Sequence, residues 1–345
     1  MSAAPAAPFQ PLPLAVTMGE PAGIGAEITL KAWQRLRGGP ETFFLLDDIA
    51  RVRDTAARLG ITVDVAEIAS PAEAKHVFDR ALPIINRPLS QSVVPGRPDP
   101  ANAPAVLASI REAVELTLDG SAAAVVTNPI HKAVLMAAGF RHPGHTEFLG
   151  ELCGLNEPPL MMLANPMLRV VLVTVHEPLK AAIAAITTAR IVRVARIAAA
   201  ALRRDLGIES PRIAVAGLNP HAGEEDRLGT EDRAVVAPAI AQLKAEGIAA
   251  EGPFPPDTMF AAHARARYDI AVCLYHDQGL IPLKTLDFAH GVDVTLGLPI
   301  VRTSPDHGTA FDIAGRGTAD PSSMVAAIEM AAEMAARRAK TPARA

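Results

Sequence analysis

Three histidines follow strand-like apolar runs, and together they could hold a metal ion. His176 follows Val-Leu-Val-Thr-Val, His221 follows Ile-Ala-Val-Ala-Gly-Leu-Asn-Pro, and His276 follows Ile-Ala-Val-Cys-Leu-Tyr. Ligand sites in open α/β sheets gather at the carboxyl ends of strands. Three imidazoles with a fourth position open form a catalytic metal site that polarises a substrate oxygen. A single histidine at a strand end is more often structural, so it is the recurrence that favours a shared site.

An anion site is indicated at Gly144-His145-Thr146. Glycine ends one segment there, and Thr146 is placed to cap the helix that follows. A helix N-terminus with a hydroxyl and an imidazole beside it suits an anion. An ordinary capped helix would show the same residues, and spacing alone favours that simpler interpretation.

Two cations follow the last histidine, Lys284 and Arg302. A lysine and an arginine flanking one site are what a phosphate or a carboxylate needs, and arginine adds bidentate geometry. Solvated surface charge is the commoner fate of such residues. Their types alone therefore leave a surface position open.

Two glycine-rich stretches could bring backbone close to a ligand. The stretch 18–27 follows a predicted strand and opens a predicted helix, but it matches neither the Walker spacing nor Gly-x-Gly-x-x-Gly. A tight turn explains it equally well. The stretch 306–315 is a candidate cofactor loop, and it includes His307, Gly308, Thr309, Ala310 and Asp312.

The elements that must position these residues alternate along the chain, which predicts an α/β fold with largely parallel strands. Proline-rich segments at 87–103 and 252–256 are predicted to be irregular, the first as a crossing between lobes. Strands are predicted at 12–17, 42–46, 61–65, 122–126, 168–175, 212–217, 268–274 and 292–296. Helices are predicted at 25–37, 48–59, 101–118, 130–138, 186–205, 231–247, 257–266 and 321–337.

Composition narrows the class of protein. The chain has 345 residues, 50% of them hydrophobic, with a net charge of −4, which argues against broad electrostatic binding to nucleic acid. Its two cysteines, Cys153 and Cys273, lie in apolar stretches without a partner at metal or redox spacing, so both are predicted to be core residues. The N-terminus lacks a basic region before an apolar block, and apolar runs are too short to span a bilayer. A cytoplasmic protein without membrane contact is expected.

Six segments together resemble the 4-hydroxythreonine-4-phosphate dehydrogenase family, and the match runs over nearly the whole chain. The resemblance implies the two-lobed α/β fold of the wider isocitrate and isopropylmalate dehydrogenase superfamily, with three-layer α/β/α lobes and the active site in the cleft between them. It places residues 1–130 and 290–345 in lobe one and residues 131–289 in lobe two. The six segments are 17–25, 127–132, 144–149, 218–224, 275–280 and 303–310.

The same resemblance implies roles for the candidate residues. His176, His221 and His276 correspond to metal ligands, with His276 supplied across a homodimer, and the metal-ligand histidines and the dimer interface belong to lobe two. Asp293 stands where members often have a substrate-contacting asparagine, and a carboxylate repels phosphate unless it is protonated or faces an ammonium or hydroxyl. Substrate contacts are implied for His145, Thr146, Lys284, Asp293 and Arg302, and cofactor contacts for His307, Gly308, Thr309, Ala310 and Asp312.

The implied activity is NAD-dependent oxidation of 4-phosphohydroxy-L-threonine at its C3 hydroxyl, followed by decarboxylation, in vitamin B6 biosynthesis. Enzymes of the group that oxidise phosphorylated threonate or erythronate are the alternative. More distant are a phosphate acyltransferase, whose chemistry does not call for three imidazoles, and a catalytically silent phosphate-binding module. NAD is expected, with NADP possible, and one divalent metal (zinc, cobalt or magnesium) in each active site. The general base is not assigned by the sequence, and the candidates are His145, Lys284 and a metal-bound hydroxide.

Overall fold

Twelve strands join in one hydrogen-bonded sheet in the computed structural model, which describes residues 12–142 and 144–340. The strands are β1 (Leu14–Thr17), β2 (Phe43–Asp47), β3 (Val65–Glu67), β4 (Leu82–Asn86), β5 (Val125–Val126), β6 (Leu160–Asn165), β7 (Leu168–Leu172), β8 (Ile213–Ala216), β9 (Ala250–Phe254), β10 (Ile270–Cys273), β11 (Val292–Leu296) and β12 (Arg302–Pro305).

Helices connect most of these strands and cover the sheet. They are α1 (Gly25–Leu36), α2 (Ile49–Leu59), α3 (Ala74–Val77), α4 (Ala103–Leu118), α5 (Lys132–Ala137), α6 (His145–Leu152), α7 (Leu179–Ala185), α8 (Thr188–Leu206), α9 (Ala237–Ala245), α10 (Pro256–Met259), α11 (Ala262–Arg265), α12 (His276–Leu286) and α13 (Ser322–Lys340).

The strand order is β3-β4-β2-β1-β5-β12-β11-β6-β7-β10-β8-β9. The first six strands in this order, which end with β12, are parallel to one another, and so are the last four, which begin with β7. The two strands between these groups, β11 and β6, pair antiparallel with each other and with their outer neighbours β12 and β7. Strands from 14–126 and 292–305 thus form one half of the sheet, and strands from 160–273 form the other. The lobe boundaries at 130 and 290 stay a prediction, and their ranges include residues 1–11 and 341–345, which lie outside the described residues.

The core forms because the central strands are apolar on both faces. β1, β2 and β10 are buried along their whole length, as expected for parallel strands that helices cover on both sides. α8 places Ile191, Ala195, Ala198 and Leu202 on one buried face, at the spacing of an amphipathic helix. The α/β class predicted from alternating patterns is confirmed.

Some local predictions are wrong, each for a physical reason. The strand predicted at 61–65 begins only at Val65. The segment 252–256 is not wholly irregular, because β9 reaches Phe254; Pro253 is tolerated since β9 is an edge strand that pairs only with β8. Thr146 does not cap α6, because Gly144 occupies the N-cap position and Thr146 lies within the first turn.

The predictions from composition have mixed outcomes. Cys273 is buried as predicted, whereas Cys153 is only half-buried, and burial raises the pKa of its thiol to about 11. Both cysteines are therefore poor nucleophiles at neutral pH. Between residues 12 and 340, Pro143 aside, no helix is long and apolar enough to cross a bilayer. No basic region precedes an apolar block at the N-terminus of the sequence, and residues 1–11 of that segment lie outside the described residues.

Candidate active site

A cavity of about 1160 Å³ opens where the two halves of the sheet meet, and we call it the central cleft. Its walls come from the ends of β5, β7 and β12, from β11, and from α6 and α12. The predicted site residues that line it are His145, Thr146, His176, His276, Lys284, Asp293, Arg302, His307 and Gly308. Four others, His221, Thr309, Ala310 and Asp312, are not among its lining residues.

Arg302 is the most buried charge of the cleft, with only 1% of its surface exposed, so it is not a surface residue. Its Nη1 donates to Asp293 Oδ2 at 3.0 Å and to Thr295 Oγ1 at 2.9 Å, and its Nη2 donates to Thr127 Oγ1 at 2.6 Å. Strands β11 and β12 bring these groups together, because Asp293 pairs directly with Ser304 across the antiparallel ladder. The ion pair compensates a guanidinium that would be costly to bury alone.

His145, the first residue of α6, is held neutral beside this guanidinium. Its Nδ1 lies 3.5 Å from Nη2 of Arg302. Burial, followed by the charges of Arg302 and Lys132, holds the pKa of the imidazole well below its usual range. Because Arg302 presents N–H groups, Nδ1 is the acceptor nitrogen and the proton belongs on Nε2. His145 is therefore a hydrogen-bond donor through Nε2.

Three buried polar atoms around Arg302 have no partner among the described residues. They are His145 Nε2, Asp293 Oδ1 and Arg302 Nε. Buried polar groups are nearly always satisfied in folded proteins, so an unsatisfied cluster beside a cleft indicates a place for a ligand. The cluster offers two donors and one anionic acceptor, which suits a ligand with both an acidic and a basic or hydroxyl group.

Lys284 of α12 is also paired inside the cleft. Its Nζ lies 3.0 Å from Asp306 Oδ2, just after β12. Burial raises the pKa of Asp306, Lys284 opposes that rise, and the charge of Asp293 adds to it. The pair thus positions a cation near the ligand cluster. Asp306 is a cleft residue to which the sequence pattern gave no role.

Two of the three predicted metal ligands come together. The rings of His176 and His276 are 5.7 Å apart, within one chain. His276 Nδ1 lies 2.7 Å from Asp277 Oδ1, which leaves Nε2 free, as in the carboxylate–histidine arrangement of metal sites. Burial, then the charge of Lys132, lowers the pKa of His176 and keeps it in the neutral form that metals bind.

His221 is the predicted metal ligand that one chain does not bring to this pair. Its side chain is 63% exposed, it lies outside the cleft lining, and its nearest ionic contact is Glu224, 3.5 Å away. Among residues 12–142 and 144–340, no three histidine, cysteine, aspartate or glutamate side chains are grouped to hold a metal. The donors fit a metal in type, but a single chain supplies only two of three imidazoles. His276 reaches His176 without a partner subunit.

The two glycine-rich loops touch each other next to the cleft. The Ile24 amide donates to the Thr309 carbonyl at 3.1 Å, and a Cβ on Gly23 would lie 2.9 Å from the same oxygen. Gly308 has open space on its Cβ side, which leaves room for a ligand along the loop. Asp312 is exposed at the far end. These contacts fit a cofactor loop, which stays a prediction.

A tight turn from Val94 to Arg97 packs against both glycine-rich loops. The Gly96 amide donates to the Ala22 carbonyl at 2.8 Å, and a Cβ on Gly96 would lie 2.8 Å from the Phe311 carbonyl oxygen. Gly96 has φ +76°, a conformation that favours glycine. The proline-rich segment thus has a structural role that its irregularity did not indicate.

The geometry can now be compared with known proteins. The family model "Pyridoxal phosphate biosynthetic protein PdxA" matches residues 41–331. A 4-hydroxythreonine-4-phosphate dehydrogenase from Methylorubrum populi is 54% identical over 95% of this chain and 95% of its own length. One from Erythrobacter litoralis is 53% identical over 95% of this chain and 98% of its own. The chain belongs to the PdxA family.

Solved structures place this PdxA-family chain in the same fold. The crystal structure of a 4-hydroxythreonine-4-phosphate dehydrogenase from Klebsiella pneumoniae has a TM-score of 0.86 at 41% identity, and the match covers 95% of this chain and 99% of that chain. A terephthalate 1,2-cis-dihydrodiol dehydrogenase from Burkholderia xenovorans has a TM-score of 0.63 at 28% identity, over 93% and 98%. Like its relatives in the PdxA family, the chain is a dehydrogenase, and the two-lobed fold class is confirmed.

Proposed function

We propose that this chain oxidises 4-phosphohydroxy-L-threonine at its C3 hydroxyl with NAD, giving 2-amino-3-oxo-4-phosphobutanoate. This β-keto acid then loses carbon dioxide to give 3-amino-2-oxopropyl phosphate, a step in pyridoxal phosphate biosynthesis. The PdxA family match and the names of relatives that are 54% and 53% identical support this substrate.

The observation that carries the proposal is the unsatisfied cluster around Arg302. Among the described residues, the anionic acceptor Asp293 Oδ1 has no donor, and the donor His145 Nε2 has no acceptor. A substrate with an ammonium or hydroxyl group would satisfy Asp293, and its phosphate would satisfy His145. 4-Phosphohydroxy-L-threonine carries both kinds of group.

His145 and Arg302 are proposed to orient the substrate rather than to move its proton. An imidazole whose pKa lies far below the working pH has little tendency to accept a proton, so His145 is a poor general base. Arg302 is fixed by Asp293, Thr295 and Thr127 and loses little side-chain freedom when a ligand arrives. Lys284, positioned by Asp306, stays a candidate for proton transfer.

We propose that a divalent metal, with zinc, cobalt and magnesium as the candidates, is held by the neighbouring imidazoles of His176 and His276 and by a third imidazole across a homodimer. The third is assigned to His221 of the partner subunit, because His221 is exposed and lies outside the cleft of its own chain. When bound, such a metal polarises the substrate hydroxyl and stabilises enolate charge. The cytoplasm is the proposed location.

The nicotinamide cofactor is proposed to lie along the loop 307–312, with contacts to His307, Gly308, Thr309, Ala310 and Asp312. Gly308 leaves space beside the chain, and the exposed Asp312 carboxylate suits a ribose hydroxyl. A carboxylate at that position would repel a 2′-phosphate, which favours NAD over NADP. A nicotinamide held by this loop would supply the acceptor for the hydride removed from C3.

An alternative substrate is a phosphorylated threonate or erythronate, which lacks the amino group. The relationship to a dihydrodiol dehydrogenase at 28% identity indicates that this fold serves more than one alcohol. A hydroxyl in place of the amino group would also satisfy Asp293, but an ammonium gives the stronger, charge-assisted hydrogen bond, which favours 4-phosphohydroxy-L-threonine. Acyl-phosphate transfer gains no support from relatives that are named dehydrogenases.

The test is NADH formation by purified protein with 4-phosphohydroxy-L-threonine, after EDTA treatment and after resupply with zinc, cobalt or magnesium. Metal-dependent turnover on this substrate is expected. Turnover on phosphorylated threonate but not on this compound would retain the chemistry and reject the substrate. No turnover on any of them with metal and NAD would overturn the proposal.

A further inference from the structure

The basic residues that line the central cleft are paired, with one exception. Four of them have a carboxylate partner: Arg190 with Glu177 at 3.6 Å, Arg193 with Glu157 at 2.9 Å, Lys284 with Asp306 at 3.0 Å, and Arg302 with Asp293 at 3.0 Å. The side chain of Lys132, an exposed residue, has no ion pair or hydrogen bond with any residue in 12–142 or 144–340. A lysine with that position and no partner is available to a ligand.

Lys132 lies at the N-terminus of α6. Its Cε and Nζ are 3.2 and 3.3 Å from where a Cβ on Gly144 would be, and Gly144 is the N-cap residue of that helix. The eight-residue helix begins at His145, whose buried Nε2 has no partner among residues 12–142 and 144–340. Glu147 lies in the first turn of the same helix, and its Oε2 is 3.6 Å from the Cβ position of Gly144, but it forms no ion pair with Lys132. An ammonium, a helix N-terminus and an imidazole N–H therefore lie side by side, with one carboxylate close to them.

Glu147 offsets only part of the positive charge of this arrangement, so a bound anion is favoured. A lysine at a helix N-terminus adds positive charge where the helix dipole is already positive. The nearest buried cation, Arg302, is neutralised by Asp293 and cannot also neutralise a phosphate dianion alone. Lys132 supplies the charge that the Arg302–Asp293 pair does not.

We propose that Lys132 binds the phosphate of the substrate, together with His145 Nε2 and the first turn of α6. This inference rests on the proposed function and adds a residue that neither the sequence pattern nor the family resemblance assigns. The phosphate then lies at α6, and Asp293 is left to receive the substrate's amino group. Lys132 orients the substrate and does not exchange a proton with it.

The experiment compares Lys132→Gln and Lys132→Arg with the control Lys244→Gln, an exposed lysine of α9 that lies outside the cleft. Isothermal titration with inorganic phosphate is run on each protein without NAD or added metal, and KM and kcat are measured with 4-phosphohydroxy-L-threonine. Melting temperatures confirm that each variant is folded.

Lys132→Gln is expected to weaken phosphate binding and raise KM by roughly tenfold to a hundredfold, the range of one charge-assisted hydrogen bond, with kcat changed far less. Lys132→Arg should retain most of the affinity, and Lys244→Gln should match the unaltered protein. Equal phosphate affinity in Lys132→Gln, or a loss confined to kcat, would overturn the inference. If the unaltered protein binds phosphate through Lys132 but does not oxidise the substrate, the proposed function fails and this inference stands.

Discussion

Asp293 Oδ2 lies 3.0 Å from Nη1 of Arg302 in the central cleft, while the other carboxylate oxygen of Asp293 is buried without a partner in the described part of the chain. The sequence raised the concern that a carboxylate here would repel a phosphorylated substrate. The ion pair removes that concern, because the charge of Asp293 is neutralised on one side and directed to the ligand on the other.

Changing Asp293→Asn should lower kcat/KM for 4-phosphohydroxy-L-threonine by roughly tenfold to a hundredfold, since a charged hydrogen bond to the ammonium is lost. Activity on phosphorylated threonate should fall much less or rise. That substrate has no ammonium, and the charge of Arg302 is no longer neutralised by a carboxylate at position 293. Steady-state kinetics on both substrates measures the ratio. An equal loss on both would show that Asp293 does not contact the amino group.

Changing His145→Gln should make the free energy of unfolding depend less on pH in the acid range. The pKa of His145 is lowered in the folded state, so below the unfolded value of about 6.5 the unfolded chain binds a proton that the folded chain does not. Stability is therefore lost as pH falls below that value, and the variant should lose less of it. Urea denaturation over this pH range tests the sign, with the exposed His76→Gln as control. Parallel curves for the unaltered protein and His145→Gln would contradict the depressed pKa.

Changing Gly96→Ala should raise KM for NAD more than KM for the phosphorylated substrate. The added Cβ would lie 2.8 Å from the Phe311 carbonyl oxygen and would displace the cofactor loop. Left-handed backbone costs a residue other than glycine about 1–2 kcal/mol whatever its surroundings. NAD titration and chemical denaturation together separate the two effects.

Gly120→Ala is the matched control for that strain. Gly120 has φ +81°, close to the +76° of Gly96, and a Cβ there would meet nothing within 4 Å. We expect a similar loss of stability and an unchanged KM for NAD. If both variants shift KM equally, the turn at Gly96 has no special relation to the cofactor loop.

Subunit mixing tests how the metal ligands are divided. Inactive His276→Ala and His221→Ala proteins, unfolded together and refolded, should recover activity, because one site of each mixed dimer keeps every imidazole. His176→Ala with His276→Ala should recover none if both act within one chain, as their 5.7 Å separation implies. Recovery in the second mixture instead would place His276 across the interface. Metal content of each mixture gives a readout independent of turnover.

Much of the fold is predictable because buried parallel strands are continuous apolar runs. β1, β2 and β11 lie within about a residue or two of their predicted bounds. The pattern gives no strand at β6, whose Leu-Met-Met-Leu run lacks β-branched residues, or at β12, which begins with a buried arginine. Tertiary contacts decide those segments, and local propensity does not.

The site is predictable in its residue types but not in its pairings. Sequence spacing indicated His176 and His276 after strands, and both reach one cleft. It could not indicate that Arg302 is neutralised by Asp293, because that pairing depends on strand register. It missed Lys132 because the feature that distinguishes this lysine is the lack of a partner, which appears only in three dimensions.

The two outer strands of the sheet bear on self-association. β3 is only three residues long, and β9 contains Pro253, which has no amide hydrogen to offer a further strand. Such edges resist strand addition and aggregation. A homodimer of this chain would therefore assemble through its helices and loops and not by extending the sheet, so truncating either edge should leave dimer formation unaffected.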